Sequence, residues 1–169
     1  GTFAEHFPST TLRDRVDAEL HARVDALAGS RAAAADVDVP LPAGRTLYPF
    51  QCAGVRYVLD AFARGVKGVL LGDQMGLGKT PQAIASINAL ADVETVLVVC
   101  PKSALMVWQR HAEQWLTGRW RIIRLQPGSR WPQPEAGRKL FVIVNFDIVA
   151  RYAGQVERLD LLVVDEAHF

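Results

Sequence analysis

The sequence has only two cysteines, Cys52 and Cys100, and their separation matches no metal-ligand or redox spacing. Long apolar runs are missing as well. None approaches the ~18 residues a membrane span needs, and the opening GTFAEHFPST lacks the basic and apolar parts of a secretory signal. Neither sign of charge dominates: Lys+Arg number 19 and Asp+Glu 18, a net of +1 that selects no partner by itself. Apolar residues, by contrast, make up half of the 169 positions and charged ones 22%, which excludes the composition of a disordered chain. The expectation is a soluble, intracellular protein with reduced thiols, long enough for one globular unit and an appendage.

Charge is uneven along the chain. Residues 1–45 carry 5 basic against 7 acidic groups, and residues 46–169 carry 14 against 11. Seven basic residues (Arg110, Arg119, Arg121, Arg124, Arg130, Arg138, Lys139) and all four tryptophans (Trp108, Trp115, Trp120, Trp131) fall between 108 and 139. Such a stretch can follow a phosphate backbone and stack bases. The reading that composition favours is a helix and loop with tryptophans in the core and arginines in solvent, with the nucleic-acid reading as the alternative.

Residues 10–28 read as an amphipathic helix, with Leu12, Val16, Leu20, Val24 and Leu27 on one side and Gly29 as a stop. The Ala- and Pro-containing stretch that follows reads as a linker, with a domain boundary near 45. From residue 46 the pattern alternates. Pro49 opens a helix bearing Val55, Val58, Leu59 and Phe62. Short apolar runs at 69–71, 95–100, 122–125, 140–144 and 161–164 read as buried strands. Helical patterns at 80–91, 103–116 and 147–157 lie between several of them. This alternation predicts an α/β fold, a parallel β-sheet with helices on both faces. In such sheets ligands bind beyond the carboxyl ends of the strands.

One such end is Gly72-Asp73-Gln74-Met75-Gly76-Leu77-Gly78-Lys79-Thr80, between the run at 69–71 and the helix at 80–91. Its glycines allow a tight turn whose N–H groups point at phosphate oxygens, and the helix N-terminus adds partial positive charge. Lys79 supplies a full charge for the β- and γ-phosphates, and the Thr80 hydroxyl suits Mg²⁺. The usual phosphate-loop spacing fails at its first position, which is Asp73. Pro81 is compatible with a first helical turn, where its missing N–H has no partner to lose.

The second end is Leu161–Val164 followed by Asp165, Glu166, Ala167 and His168. Asp165 suits holding Mg²⁺ directly or through its water. Glu166 suits orienting and deprotonating a water that attacks a γ-phosphate. Each motif supplies what the other lacks: one holds phosphates, the other metal and water. His6, His21 and His111 show no metal spacing.

Together these residues resemble the Swi/Snf family of ATP-driven DNA translocases within the helicase-like superfamily. Leu47–Gln51 with Gly54-Val55 is similar to its glutamine motif, and Asp73–Thr80 to its motif I. Leu97–Trp115, with its tryptophan pair, is similar to motif Ia, Val142–Ile148 to motif Ib, and Asp165–His168 to a DEAH form of motif II. LYPFQCAG, VNFDIV and DEAHF resemble the HARP, or annealing-helicase, branch. The resemblance implies a first RecA-like lobe over 46–169 that binds ATP and Mg²⁺, preceded by the N-terminal helix and linker over 1–45. It implies a nucleotide-binding set of Gln51 (on adenine), Asp73, Met75, Gly76, Leu77, Gly78, Lys79 and Thr80. Lys79, Asp165 and Glu166 are then catalytic, Thr80 and Asp165 metal-binding, and His168 couples nucleotide state to neighbouring motifs. Lys102, Ser103 and Asn145 match positions that touch the DNA backbone. Three departures stand out: Gln74 in place of an acid, Pro81 in place of an aliphatic, and Asn145 in place of Ser or Thr.

The implied partners are double-stranded or branched DNA and a second RecA-like lobe that supplies the arginines completing hydrolysis. No membrane is implied. The setting is the cytoplasm or nucleoid for a bacterial or viral source and the nucleus for a eukaryotic one. The sequence stops one residue past the DEAH, so it is expected to be a fragment that binds nucleotide but hydrolyses poorly alone. A non-catalytic nucleotide- or DNA-binding module is the alternative. A small-molecule kinase with a phosphate loop fits Gln51 and the DEAH less well.

Overall fold

The computed structural model describes residues 37–74 and 76–167. The expected helix at 10–28, together with Met75 and His168, lies outside these residues. Helix α1 spans Pro49–Ala63, with Pro49 in its first turn. Helix α2 spans Lys79–Ala89 and accommodates Pro81 in its own first turn. Strand β1 (Thr95–Cys100) leads through a 3₁₀ turn (Lys102–Ala104) into α3 (Leu105–Trp115). Then come β2 (Trp120–Arg124), β3 (Lys139–Asn145), a single α-turn α4 (Phe146–Val149) with a 3₁₀ turn (Ala150–Tyr152), and β4 (Leu161–Val164).

The four strands form one all-parallel sheet in the order β2-β3-β1-β4. The chain moves from β1 out to β2, returns to β3 between them, then crosses to the far side of β1 for β4. Two-sided burial explains the near-continuous apolar runs. Val96, Val98 and Cys100 of β1, with Phe141 and Ile143 of β3, face Ile84 and Ile87 of α2 and Trp108 and Ala112 of α3. The alternate residues Leu97, Val99, Val142 and Val144 pack on Trp131, Ile148 and Tyr152 across the opposite face. Each fully buried Val, Ile or Phe contributes roughly 1.5–3 kcal/mol of transfer free energy.

Helix α1 forms a further layer behind α2. Val55 packs with Ala85, and Val39 joins them from the stretch read as linker, with Val37 and Leu41 alongside. A close approach makes this contact possible. A Cβ at Gly54 would fall on the Gln82 Oε1 atom, so only glycine lets α1 seat against the Gln82 amide.

Two expectations need correction. The run Val69–Leu71 forms no strand, and Leu70 is 75% exposed. Three apolar residues between Gly68 and Gly72 offer too few ladder hydrogen bonds to offset the flexibility of the flanking glycines. As a result β4 has one partner, β1, and Leu162 (51%) and Val164 (43%) stay exposed. The expected helix at 147–157 is the single turn α4 plus the 3₁₀ turn. Its α-helical part ends by Val149, and Gly154 follows in a turn.

The start of the β1–β4 pair is pinned by Asp160. Its Oδ2 accepts hydrogen bonds from the Glu94 and Thr95 N–H groups at 2.9 and 2.8 Å, and its Oδ1 accepts from Arg158 Nε at 2.9 Å. Partial burial alone would raise the carboxyl's pKa. The Arg158 hydrogen bond and the two N–H donors outweigh it and hold the pKa below the usual carboxylate value. A lowered carboxyl pKa means the stabilisation is complete above the unfolded value of about 4 and fades as pH falls through the folded value. Asp160→Ala is therefore expected to cost about 1–2 kcal/mol at neutral pH in denaturant melts. The difference from wild type should shrink below pH 4, and a deficit that does not change with pH would contradict this role.

Candidate functional site

The segment 72–80 joins the end of the 69–71 run to the N-terminus of α2. Gly76 and Gly78 take φ values of +83° and +78°, which L side chains rarely adopt. Gly78 is also the α2 N-cap, with no side-chain cap and no acid in the first turn, so the leading N–H groups of α2 face the loop uncompensated. The ammonium of Lys79 donates to the loop's own carbonyls, Asp73 O at 2.7 Å and Gln74 O at 3.2 Å.

Two glutamines hold this loop. Gln51, buried at the start of α1, accepts from Tyr48 N–H through Oε1 (2.9 Å) and donates through Nε2 to Leu77 O (3.2 Å). A Cβ at Gly78 would collide with that amide. Gln82, fully buried in α2, donates through Nε2 to Asp73 Oδ2 at 2.9 Å, while its Oε1 has no hydrogen-bond partner. The sequence reading missed Gln82. The available signal was a polar residue on the buried side of a helix, three positions after Lys79.

Asp165 extends the β1–β4 ladder by one bond, donating its N–H to Val99 O at 2.9 Å. Its Oδ2 accepts from Trp108 Nε1 at 2.8 Å, and its Oδ1 accepts from the next backbone N–H, Glu166 N, at 3.1 Å. Glu166 has φ +54°, the one non-glycine positive φ among the described residues. Left-handed backbone at a carboxylate side chain costs of order 1–3 kcal/mol and accumulates at working sites. Burial first, and then the Asp165 carboxylate, push the Cys100 thiol up to about 12. From sequence Trp108 was either a core or a base-stacking residue; its N–H instead reaches the acid 57 positions away.

Both halves line a single cavity of about 600 Å³. Gly72, Asp73, Gln74, Lys79 and Thr80 contribute from one side and β4, Asp165 and Glu166 from the other, with Val58, Phe62 and the 69–71 run forming an apolar wall between them. That volume suits a small-molecule ligand. The donor set, an ammonium, helix N–H groups and a hydroxyl, suits phosphate. No three His, Cys, Asp or Glu side chains converge among the described residues. The Thr80 hydroxyl and the Asp165 carboxylate, which both line the cavity, are oxygen donors of the kind a hard cation takes.

Lys102 and Ser103 are exposed in the 3₁₀ turn beyond β1, on the same sheet edge. Asn145 lies on that edge too, opposite Cys100, but it is buried and its Oδ1 caps α4 through Ile148 N–H. The tryptophans of the basic stretch are engaged in packing, Trp115 against the core and under the Arg45 guanidinium. Trp108 and Trp131 are buried, and Trp120 packs edge-on against Phe141. Several of its cations are engaged at the opposite edge. Arg121 and Arg138 pair with Glu135 at 3.9 and 3.5 Å, and Lys139 pairs with Glu94 at 3.4 Å while donating to Ala91 and Val93 carbonyls.

Residues 50–169 match the family model of the SNF2-related domain. The chain is 30% identical over 149 residues to the DNA repair and recombination protein RAD54 of Oryza sativa subsp. japonica, covering 73% of this chain and 15% of that protein. It is 32% identical over 128 residues to the SWI/SNF-related matrix-associated actin-dependent regulator of chromatin subfamily A-like protein 1 of Xenopus tropicalis, covering 75% of this chain and 13% of that one. It is 42% identical over 73 residues to Protein CHROMATIN REMODELING 19 of Arabidopsis thaliana, covering 41% and 10%. The chain thus spans between 10% and 15% of the length of these curated relatives.

The two thiols should behave differently. At pH 8 a disulfide reagent is expected to titrate Cys52, which is half-buried, and to leave Cys100 unmodified until denaturant is added. Rapid modification of both in the folded chain would show that Cys100 is not sealed behind Asp165.

Proposed function

The chain belongs to the SNF2-related family, and from that premise we propose that it forms the ATP-binding lobe of a DNA-dependent ATPase that translocates on double-stranded DNA. The observation that carries this reading is the single cavity shared by Lys79, Thr80, Asp165 and Glu166. Lys79 exchanges its carbonyl partners for the β- and γ-phosphates, while the N–H groups from Gly76 to Thr80 receive the remaining oxygens. Thr80 and Asp165 would hold Mg²⁺, which would supply charge that offsets the phosphate oxygens. Glu166 orients the attacking water and accepts its proton. Gln51 has one N–H and further lone-pair capacity left after its two internal hydrogen bonds, enough for an adenine edge. Met75, in the loop, and His168, as the coupling residue, complete the set by resemblance.

The exposed Lys102 and Ser103 contact the DNA backbone, with Asn145 shaping the loop behind them. Duplex or branched DNA is the partner, a second RecA-like lobe completes the ATP site, and the protein works where DNA is, in nucleus or nucleoid. Relatives named for chromatin remodelling and for DNA repair both support the DNA-acting class. The finer annealing-helicase assignment draws on LYPFQCAG and VNFDIV. No described helix is long and apolar enough to cross a membrane.

By themselves these residues are expected to bind Mg·ATP weakly and to turn it over slowly. Lys79→Ala is expected to abolish the binding heat in titration calorimetry, and unchanged affinity would refute the phosphate-loop assignment. Robust DNA-stimulated hydrolysis by this chain alone would refute the need for a second lobe. Lys102→Ala is expected to weaken duplex binding and flatten its salt dependence by about one charge. An unaltered slope would remove Lys102 from the interface.

A further inference from the structure

We propose that Trp108 is a positioning residue for the metal-binding carboxylate of Asp165, an inference that rests on the nucleotide reading of the site. An indole has one polar group, an N–H that can donate but neither accept a proton nor ligate a metal. Trp108 is 2% exposed, and its N–H reaches Asp165 Oδ2 at 2.8 Å. The ring serves the core, and a phenylalanine would pack there as well. The N–H is what a purely apolar role leaves unused.

Two donors fix the carboxylate. The indole N–H comes from α3, and the Glu166 N–H holds Oδ1 from the chain itself. With Oδ2 anchored, the carboxylate cannot swing about its χ angles, and its remaining lone pairs keep one direction at the cavity. The anchor is itself immobile. Trp108 packs in the cluster that contains Ile84 and Ile87 of α2 and Val98 and Cys100 of β1. Helix α2 carries Lys79 and Thr80 at its N-terminus, so the same cluster sets the phosphate-side ligands and the acid-side ligand relative to each other. Donors of this kind, one bond removed from a metal, typically change metal affinity 10–100-fold when lost.

Trp108→Phe keeps a ring in the cluster and deletes the donor. In the 169-residue chain, Mn²⁺ binding in the presence of ADP, followed by electron paramagnetic resonance, is expected to weaken about 10-fold or more. ADP affinity without metal should stay at the wild-type value. An equal loss with and without metal would mean that Trp108 only packs, and metal affinity within twofold of wild type would also overturn the proposal. Should Trp108→Phe not fold, the wild-type chain with ¹⁵N-labelled indoles supplies the test. The Trp108 indole resonance is expected to shift when Mg·ADP is added and in Asp165→Asn, and a resonance indifferent to both would overturn the proposal. If the wild-type chain binds no metal–nucleotide at all, the reading of the site fails and the role of Trp108 with it. Intact wild-type binding with normal metal dependence in Trp108→Phe removes Trp108 alone.

Discussion

Strand β1 is the constraint on which the rest of the structure depends. It pairs in parallel with β3 on one side and β4 on the other, and the site is laid out from its carboxyl end. Val99 O receives the Asp165 N–H, which ends β4 level with β1. Cys100 stands opposite Asn145, and the next residues turn into Lys102 and Ser103. Because parallel strands point the same way, their ends collect on one edge, and residues far apart in sequence arrive together. The DNA-facing and nucleotide-facing groups proposed above therefore share an edge without touching in sequence.

The loop opposite that edge is held by polar groups that its ligand would have to displace or share. Lys79 rests on the carbonyls of Asp73 and Gln74, Gln51 on Leu77, and Gln82 on Asp73. These bonds keep a glycine-rich segment near one shape and occupy the donors of its lysine. Gly54 and Gly78 are fixed by the same two amides, each occupying the space a Cβ would need. The loop geometry is thus set by α1 and α2 together. That explains why Gln51, remote from the loop in sequence, belongs to it physically.

Much of this was legible in the sequence, for identifiable reasons. Four of the five expected strands form, since Thr95–Cys100 and Lys139–Asn145 are long, β-branched and buried on both faces. The fifth, Val69–Leu71, does not form, because three apolar residues between glycines cannot hold an outer ladder against β4. The glycine-rich segment 72–80 and the acidic pair Asp165-Glu166 stand out in sequence because each is a local run in fixed order. Gln82 and Trp108 were not, because what distinguishes them is a contact between distant elements: an amide meeting Asp73 and an indole meeting Asp165. The surplus of arginine after residue 108 left two readings open in the sequence. Glu135 meets Arg138 within a local turn, but Arg121 reaches Glu135, and Lys139 reaches Glu94, only once the strands align.

The central claim is that one cavity, running along β4 to its carboxyl end, takes a nucleotide through Lys79 on one side and Asp165 on the other. A crystal structure of the chain with Mg·ADP tests it most directly. The account predicts phosphates against the N–H groups of Gly76–Thr80, Lys79 Nζ moved off the Asp73 and Gln74 carbonyls, and the metal beside Thr80 and Asp165. A nucleotide bound elsewhere, or Lys79 still resting on its own loop beside a bound nucleotide, would contradict it.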